Sequence, residues 1–267
     1  MPNTPIDLGI DAFSPKEMAE KVETAGVTKA HLGFTQTLML AILAGAFISF
    51  GAAFYTLVIT GSELGFGTTR FLGGIAFSLG LVLVIVGGAE LFTGNNLIVM
   101  AWASRKISSR ELLRNWLIVY AGNFIGALGT ALLVNLSGVL NFNGGAVGDA
   151  AATIANAKIA LPLVNAFFLA VLCNTLVCLA VWLCFAARNV SGKILAILFP
   201  VSAFVALGFE HSIANMYLIP VAYFHGVDTI PIGGFFLNLL VVTAGNILGG
   251  SALVALVYWI IYLRKSA

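Results

Sequence analysis

Between Lys158 and Arg188 the chain runs for twenty-nine residues without a charge, "IALPLVNAFFLAVLCNTLVCLAVWLCFAA". No other feature constrains the fold as much, because about 20 apolar residues in a helix span a bilayer core, whereas about 10–14 suffice for a helix in a soluble core. Windows of that size give six apolar segments: 38–59, 71–103, 112–139, 159–187, 194–224 and 235–263. With 60% hydrophobic and 9% charged residues, the composition lies outside that of soluble domains. None of the segments shows the short alternating pattern of an outer-membrane barrel. The fold class expected is therefore an all-α integral membrane protein with six transmembrane helices. The second and fifth segments are too long and too interrupted for simple helices, and both are expected to be broken.

Charge sets the orientation. Eleven basic residues fall on one side of the six spans, among them Lys16, Lys21, Lys29, Arg105, Lys106, Lys193 and Lys265, and only Arg70 and Lys158 on the other. The positive-inside rule then places both termini in the cytoplasm, in agreement with an even number of spans. The first ~35 residues lack the basic and apolar regions of a cleaved signal. Within them, Ser14-Pro15-Lys16-Glu17 has the form of a capping box with proline at the first helical position. This predicts a short helix whose Phe13, Met18 and Val22 could rest on the membrane domain. The expected organisation is a cytoplasmic segment over 1–36, a candidate gate, and a channel domain over 37–267. The matches Asn135-Leu-Ser and Asn189-Val-Ser fall in a helix and a cytoplasmic loop and are not expected to carry glycans. Cys173, Cys178 and Cys184 suit no metal pattern and read as inert core thiols, and no cofactor is expected. A net charge of +2 gives no sign of a nucleic-acid partner.

The two halves resemble each other. "GGAELFTGNNLIVM" (87–100) and "ALGFEHSIANMYLIP" (206–220) both carry a glutamate followed five residues later by asparagine, Glu90 with Asn95 and Glu210 with Asn215. "NWLIVYAGNFIGALGTALLV" (115–134) likewise matches "NLLVVTAGNILGGSALVALV" (238–257). Two matches in the same order point to repeats over about 37–140 and 159–265. Three spans per repeat is an odd number, so the second copy would be inverted, an arrangement that places broken helices about a pseudo-two-fold axis near the midplane. Gly122-x3-Gly126 and Gly245-x3-Gly249 are expected to let helices pack closely. Asn115, Asn123, Asn238 and Asn246 are expected to bind the backbone freed at the breaks, since each unpaired group in a bilayer costs several kcal/mol.

Each break would restart a half-helix with unpaired amides, a setting that favours an anion. Thr93 lies at the first break and His211 at the second. A charged residue at the centre of a membrane helix costs ~2.5–3.5 kcal/mol, so an intramembrane histidine is a functional candidate. The plainer alternative is a neutral ring tying the two loops together through Thr93. Glu90 and Glu210 are expected to cap backbone amides. Around these groups Phe77, Leu81, Leu91, Phe92, Val177 and Phe204 form apolar surroundings that an anion passes only at a large desolvation cost and its neutral acid far more easily. Histidine is the side chain whose ordinary titration makes that exchange feasible near neutral pH.

At "GGIAFSLGLVLVIVGGAELFTGNN", "NWLIVYAGNFIGAL", "LCNTLVCLAVW" and "FPVSAFVALGFEHSIANM", spread over nearly the whole membrane domain, the chain resembles the formate–nitrite transporter family, most of all its bacterial formate channels. The resemblance implies an aquaporin-like protomer in a homopentamer of the bacterial inner membrane, embedded in lipid, with one pore per subunit. It implies formate or a similar small monocarboxylate as the solute. It also implies a His211–Thr93 pair between two constrictions, with Leu81, Leu91 and Phe92 toward the cytoplasm and Phe77, Val177 and Phe204 toward the outside. By the same resemblance Lys158 and Asn174 would attract the anion, and the N-terminal segment would gate with pH. The short connection "HGVDTIPIGG" departs from the longer insertion of the formate channels.

Other classes fit less well. Nitrite and hydrosulfide are near formate in size and charge and stay open as solutes within the same family. An aquaporin-like channel for neutral solutes would not need His211, and the paired Asn-Pro-Ala boxes are missing. An intramembrane hydrolase would need a second histidine after Glu210-His211 or a nucleophile turn, and the chain has neither.

Overall fold

The structure, a computed structural model, describes residues 12–227 and 230–264. Most of the acidic N-terminal tail, Asp228 and Thr229 in the short connection, and Lys265 lie outside the described residues.

Ser14 starts α1 (Pro15–Ala30) as the sequence predicts, because its hydroxyl accepts from Glu17 N–H while the Glu17 carboxylate accepts from Ser14 N–H. Met18 and Val22 are buried against Leu97, Ile98 and Trp182. The α1 helix is thus part of the packed molecule. Two long apolar helices follow, α2 (Phe34–Ile59) and α3 (Phe66–Gly87). After a break, a 3₁₀ turn over Gly94–Ile98 leads into the short α4 (Val99–Ala103). A second capping box, Ser108 with Glu111, opens α5 (Ser109–Leu136).

Beyond two 3₁₀ turns comes α6 (Ala146–Ile159), a helix the sequence reading leaves as a connection. Then follow α7 (Leu163–Ala186), α8 (Val190–Ala206), a second break, α9 (Ser212–Phe224) and α10 (Ile232–Ile247). The last of these continues through a π-helical stretch, Leu248–Leu256, into α11 (Val257–Tyr262).

Five helical stretches are long and apolar enough to cross a membrane: Phe34–Ile59, Phe66–Gly87, Ser109–Leu136, Leu163–Ala186 and Ile232–Tyr262. Val190–Ala206 and Ser212–Phe224 are apolar but short, as expected of a span broken in two. Polarity is reversed relative to a soluble protein. Leu117, Leu133, Leu136, Val164, Phe199 and Leu240 are exposed, whereas Thr93, Asn123, Asn174, Asn215 and Asn246 are fully buried. A bilayer cannot satisfy polar groups, so the chain turns them inward and leaves hydrocarbon outside.

The paired glycines set the helix contacts, in agreement with the sequence expectation. A Cβ on Gly126 would fall on the Ile42 carbonyl of α2, and one on Gly249 on the Val171 carbonyl of α7. Close backbone approach therefore joins α2 to α5 and α7 to the π-helical stretch after α10.

Candidate functional site: a histidine between two cavities

Both breaks are built by the same local rule. Just past α3 stands Gly88 (φ 78°) and just past α8 Gly208 (φ 72°), left-handed backbone that only glycine enters freely. The next residues turn back on the helix, Ala89 N–H to Val84 O at 2.9 Å and Phe209 N–H to Phe204 O at 3.0 Å. Glu90 N–H then donates to Leu40 O at 3.2 Å, and Glu210 N–H to Leu169 O at 3.3 Å.

One asparagine closes each loop. Asn123 accepts from Phe92 N–H (2.9 Å) and donates to Ala41 O (2.7 Å) and Glu90 O (2.9 Å). Asn246 accepts from Ser212 N–H (2.9 Å) and donates to Ala170 O (2.8 Å) and Glu210 O (2.9 Å). These two perform the backbone task expected of them. Asn115 and Asn238 do not: they accept from Asn95 Nδ2 (3.0 Å) and Asn215 Nδ2 (2.8 Å) and donate to Lys29 O and Lys158 O, both at 3.1 Å. The ends of α1 and α6 arrive at the same place with terminal carbonyls in need of donors, and these asparagines meet that need.

Glu90 and Glu210 also differ from expectation, since their carboxylates take side-chain donors instead of capping amides. Glu90 receives Lys29 Nζ (2.6 Å) and Asn95 Nδ2 (2.7 Å), and Glu210 receives Lys158 Nζ (2.8 Å) and Asn215 Nδ2 (2.6 Å). Asn123 and Asn246 already hold the freed amides of Phe92 and Ser212, and a buried carboxylate requires a cation. Lys29 is thus a site residue that sequence reasoning missed. The signal existed: Lys29 stands five residues before the first residue of α2, as Lys158 stands five before that of α7.

In this register Leu91 occupies the position of His211, and Ile213 that of Thr93, so the two halves differ where the sequence places the chemistry. His211 is itself the N-cap of α9, its Nδ1 accepting from Ala214 N–H at 3.0 Å. With Nδ1 an acceptor, the ring proton belongs to Nε2, which donates to Thr93 Oγ1 at 3.0 Å. Asn174, buried on α7, donates Nδ2 to Thr93 O (3.2 Å) and Asn246 O (2.7 Å). Cys178 Sγ lies 3.3 Å from the same Thr93 carbonyl. All three cysteines are buried and free, as their spacing suggests.

Two cavities approach this pair. One, of about 330 Å³, lies on the α1 side and includes Lys29, Leu81, Glu90, Leu91 and Lys193 in its lining. The other, of about 410 Å³, lies on the α6 side and includes Arg70, Phe77, Lys158, Phe204, Glu210 and His211. Phe77 and Leu81 are one turn apart on α3, about 6 Å of rise, and line different cavities. Phe77 meets Phe204 edge-on (5.6 Å between centroids), and Phe204 stacks beside the His211 ring at 6.0 Å. Phe92 and Val177 are buried and line neither cavity. The Phe92 ring packs edge-on against Tyr120 (5.0 Å) and Trp116 (5.9 Å).

Comparison with known proteins extends over the same residues. The family model described as formate/nitrite transporter matches residues 16–260. The chain is 42% identical over 279 aligned positions to the formate channel FocA of Escherichia coli strain K12, covering 97% of this chain and 98% of that one. A solved structure titled "Pentameric formate channel with formate bound" is 40% identical and superposes with a TM-score of 0.81, covering 86% of this chain and 98% of its own. A second, titled "FNT family ion channel", is 30% identical with a TM-score of 0.83 over 92% of this chain and 98% of its own. The match runs from α1 into α11 and takes in both breaks and every residue of the buried cluster, and the chain belongs to the formate/nitrite transporter family.

Proposed function

We propose that this protein is a multi-pass channel of the bacterial inner membrane for small monovalent anions, with formate its principal solute, and that it carries no enzymatic activity. The observation that carries this reading is a histidine whose second ring nitrogen, Nε2, meets Thr93, with one cavity lined by His211 itself and another by Leu91 and Gly94 next to Thr93. Relatives named and titled as formate channels, one of them as pentameric, support the solute and a homopentamer, and two cavities lined within a single chain support one pore per subunit. The paired hydrogen bonds at the two breaks support two inverted repeats, with α3–α4 and α8–α9 as the broken spans. These repeats begin earlier than the sequence suggests, at α1 and α6, since Lys29 and Lys158 occupy matching places. The excess of basic residues at the α1 side supports both termini in the cytoplasm. The α1 helix lines the cavity there with Val22, Gly26 and Lys29, which makes it the gate in our reading.

In this channel an anion enters a cavity with water and reaches Nε2 of His211, which exchanges Thr93 Oγ1 for the carboxylate. Nδ1 is held by Ala214 N–H, so the ring meets the anion only through its Nε2–H donor. A hydronium ion of the cavity water gives its proton to the free carboxylate oxygen and leaves as water, His211 staying neutral as the hydrogen-bond donor that holds the anion. The solute crosses as the acid, because a neutral solute escapes most of the desolvation cost at the apolar rings. Leu81 and Leu91 form the ring at the α1-side cavity and Phe77 and Phe204 the one at the α6-side cavity, while Phe92 and Val177, which line neither cavity, are buried in the same core beside them. Lys158 neutralises Glu210, which would otherwise repel the anion, and Asn174 positions Thr93 through its carbonyl.

Flux of formate, nitrite, lactate and water into proteoliposomes as a function of pH tests the reading, with His211→Asn as the variant. Asparagine can still cap α9, so the substitution removes the ring and spares the helix start. Formate flux near neutral pH is expected to fall at least about tenfold and its pH dependence to flatten, because the donor that holds the anion for protonation is gone. Unchanged flux and pH dependence would make His211 a structural tie. Free passage of water without formate would refute the anion channel itself.

A further inference from the structure

The α6-side cavity holds two cations, Arg70 and Lys158, and their surroundings differ. Lys158 is spent. Its ammonium lies 2.8 Å from Glu210 Oε1, and its side chain is only 14% exposed. Among the described residues no carboxylate lies within ion-pair distance of Arg70. Its Nε is buried and has no hydrogen-bond partner, and its guanidinium lies over the Phe66 ring at 5.3 Å. The guanidinium also lies against the turn that opens the second break, since a Cβ on Gly208 would come within 2.8 Å of Arg70 Nη2. Glu210 cancels Lys158, so the cavity carries one uncompensated positive charge, and it belongs to Arg70.

We infer that Arg70 is the anion-receiving residue of this cavity, its guanidinium binding the carboxylate of an incoming small monocarboxylate before the ion meets Phe77, Phe204 and His211. The planar fork of donors matches a carboxylate, and a buried donor without a partner is a cost that such a ligand relieves. Lys158 cannot do the same without leaving Glu210 buried and unpaired. The Phe66 ring steadies the guanidinium through its face, and a cation–π contact uses none of the N–H donors. Formate, already proposed as the solute, is the smallest ion of this class, and the inference rests on that proposal.

The test is uptake of isotopically labelled formate by proteoliposomes containing the full-length protein, measured against external formate and ionic strength, for the parent, Arg70→Gln and Arg70→Lys. Arg70→Gln is expected to raise the half-saturating concentration about fivefold, a typical loss for one charge-assisted contact near water, and to weaken the salt dependence. The maximal rate should persist, because Arg70 makes none of the hydrogen bonds that hold the breaks. Arg70→Lys should keep the salt dependence and recover only part of the affinity. Parent-like half-saturation and salt dependence in Arg70→Gln would overturn the inference. Should that variant fail to fold, Arg70→Lys decides alone, an unshifted half-saturation overturning it. Absence of formate uptake by the parent would instead refute the proposed solute, so the two failures are distinct.

Discussion

Asn246 is fully buried and uses both ends of its amide, accepting from Ser212 N–H and donating to Glu210 O and Ala170 O. Ala170 sits inside α7 and keeps its helical partner, but Ser212 and Glu210 sit in the break and have no second choice. Truncation by Asn246→Ala is therefore expected to cost about 2–6 kcal/mol, the sum for two unsatisfied buried backbone groups. A lowered melting temperature of the detergent-solubilised protein would show it, and a parent-like melt would mean that water replaces the amide. Glu210 and His211 show how far single residues could be read from the chain. The glutamate–asparagine spacing identified both breaks. That the carboxylates would go to lysines depended on the amides being taken already by asparagines from another helix, which spacing along the chain does not reveal.

Helices meet here at glycines, and the closeness varies along a single element. On α5, a Cβ at Gly126 would collide with the Ile42 carbonyl, whereas one at Gly129, three residues on, has nothing within 4 Å. Gly126→Ala must push α2 and α5 apart, and the yield of folded protein is expected to fall sharply. Gly129→Ala should be neutral, or stabilising by about 0.5–1 kcal/mol through helix propensity. Size-exclusion profiles and thermal melts of the two variants make the comparison, and equal loss in both would remove the close-packing account. Helix α6 escaped the sequence reading for a related reason. It is short, opens after Gly144 and Gly145 without a side-chain cap, and is held by packing on α9. None of those features is a local signal. The π-helical stretch after α10 is likewise tertiary: at Gly250 a side chain would strike Asn174, Cys178 and Asn96.

At the scale of the whole molecule, the outer surface of the single chain is apolar over most of its helices, and lipid or further copies of the chain must cover it. The proposed pentamer predicts a five-chain species by native mass spectrometry in mild detergent. A monomer under those conditions would count against it. Membrane class, the positions of both breaks, the helix at Ser14 and the packing glycines were determined by the sequence alone. Each depends on length, composition or spacing within about twenty residues, and the bilayer enforces those rules without reference to the rest of the fold. The tertiary structure decided the pairing of Lys29 with Glu90 and of Lys158 with Glu210, the two cavities that approach His211, and the unpaired charge on Arg70. Those features depend on which side chains the helices bring within about 3 Å of one another across fifty to a hundred residues of chain, a distance over which linear spacing carries no geometry.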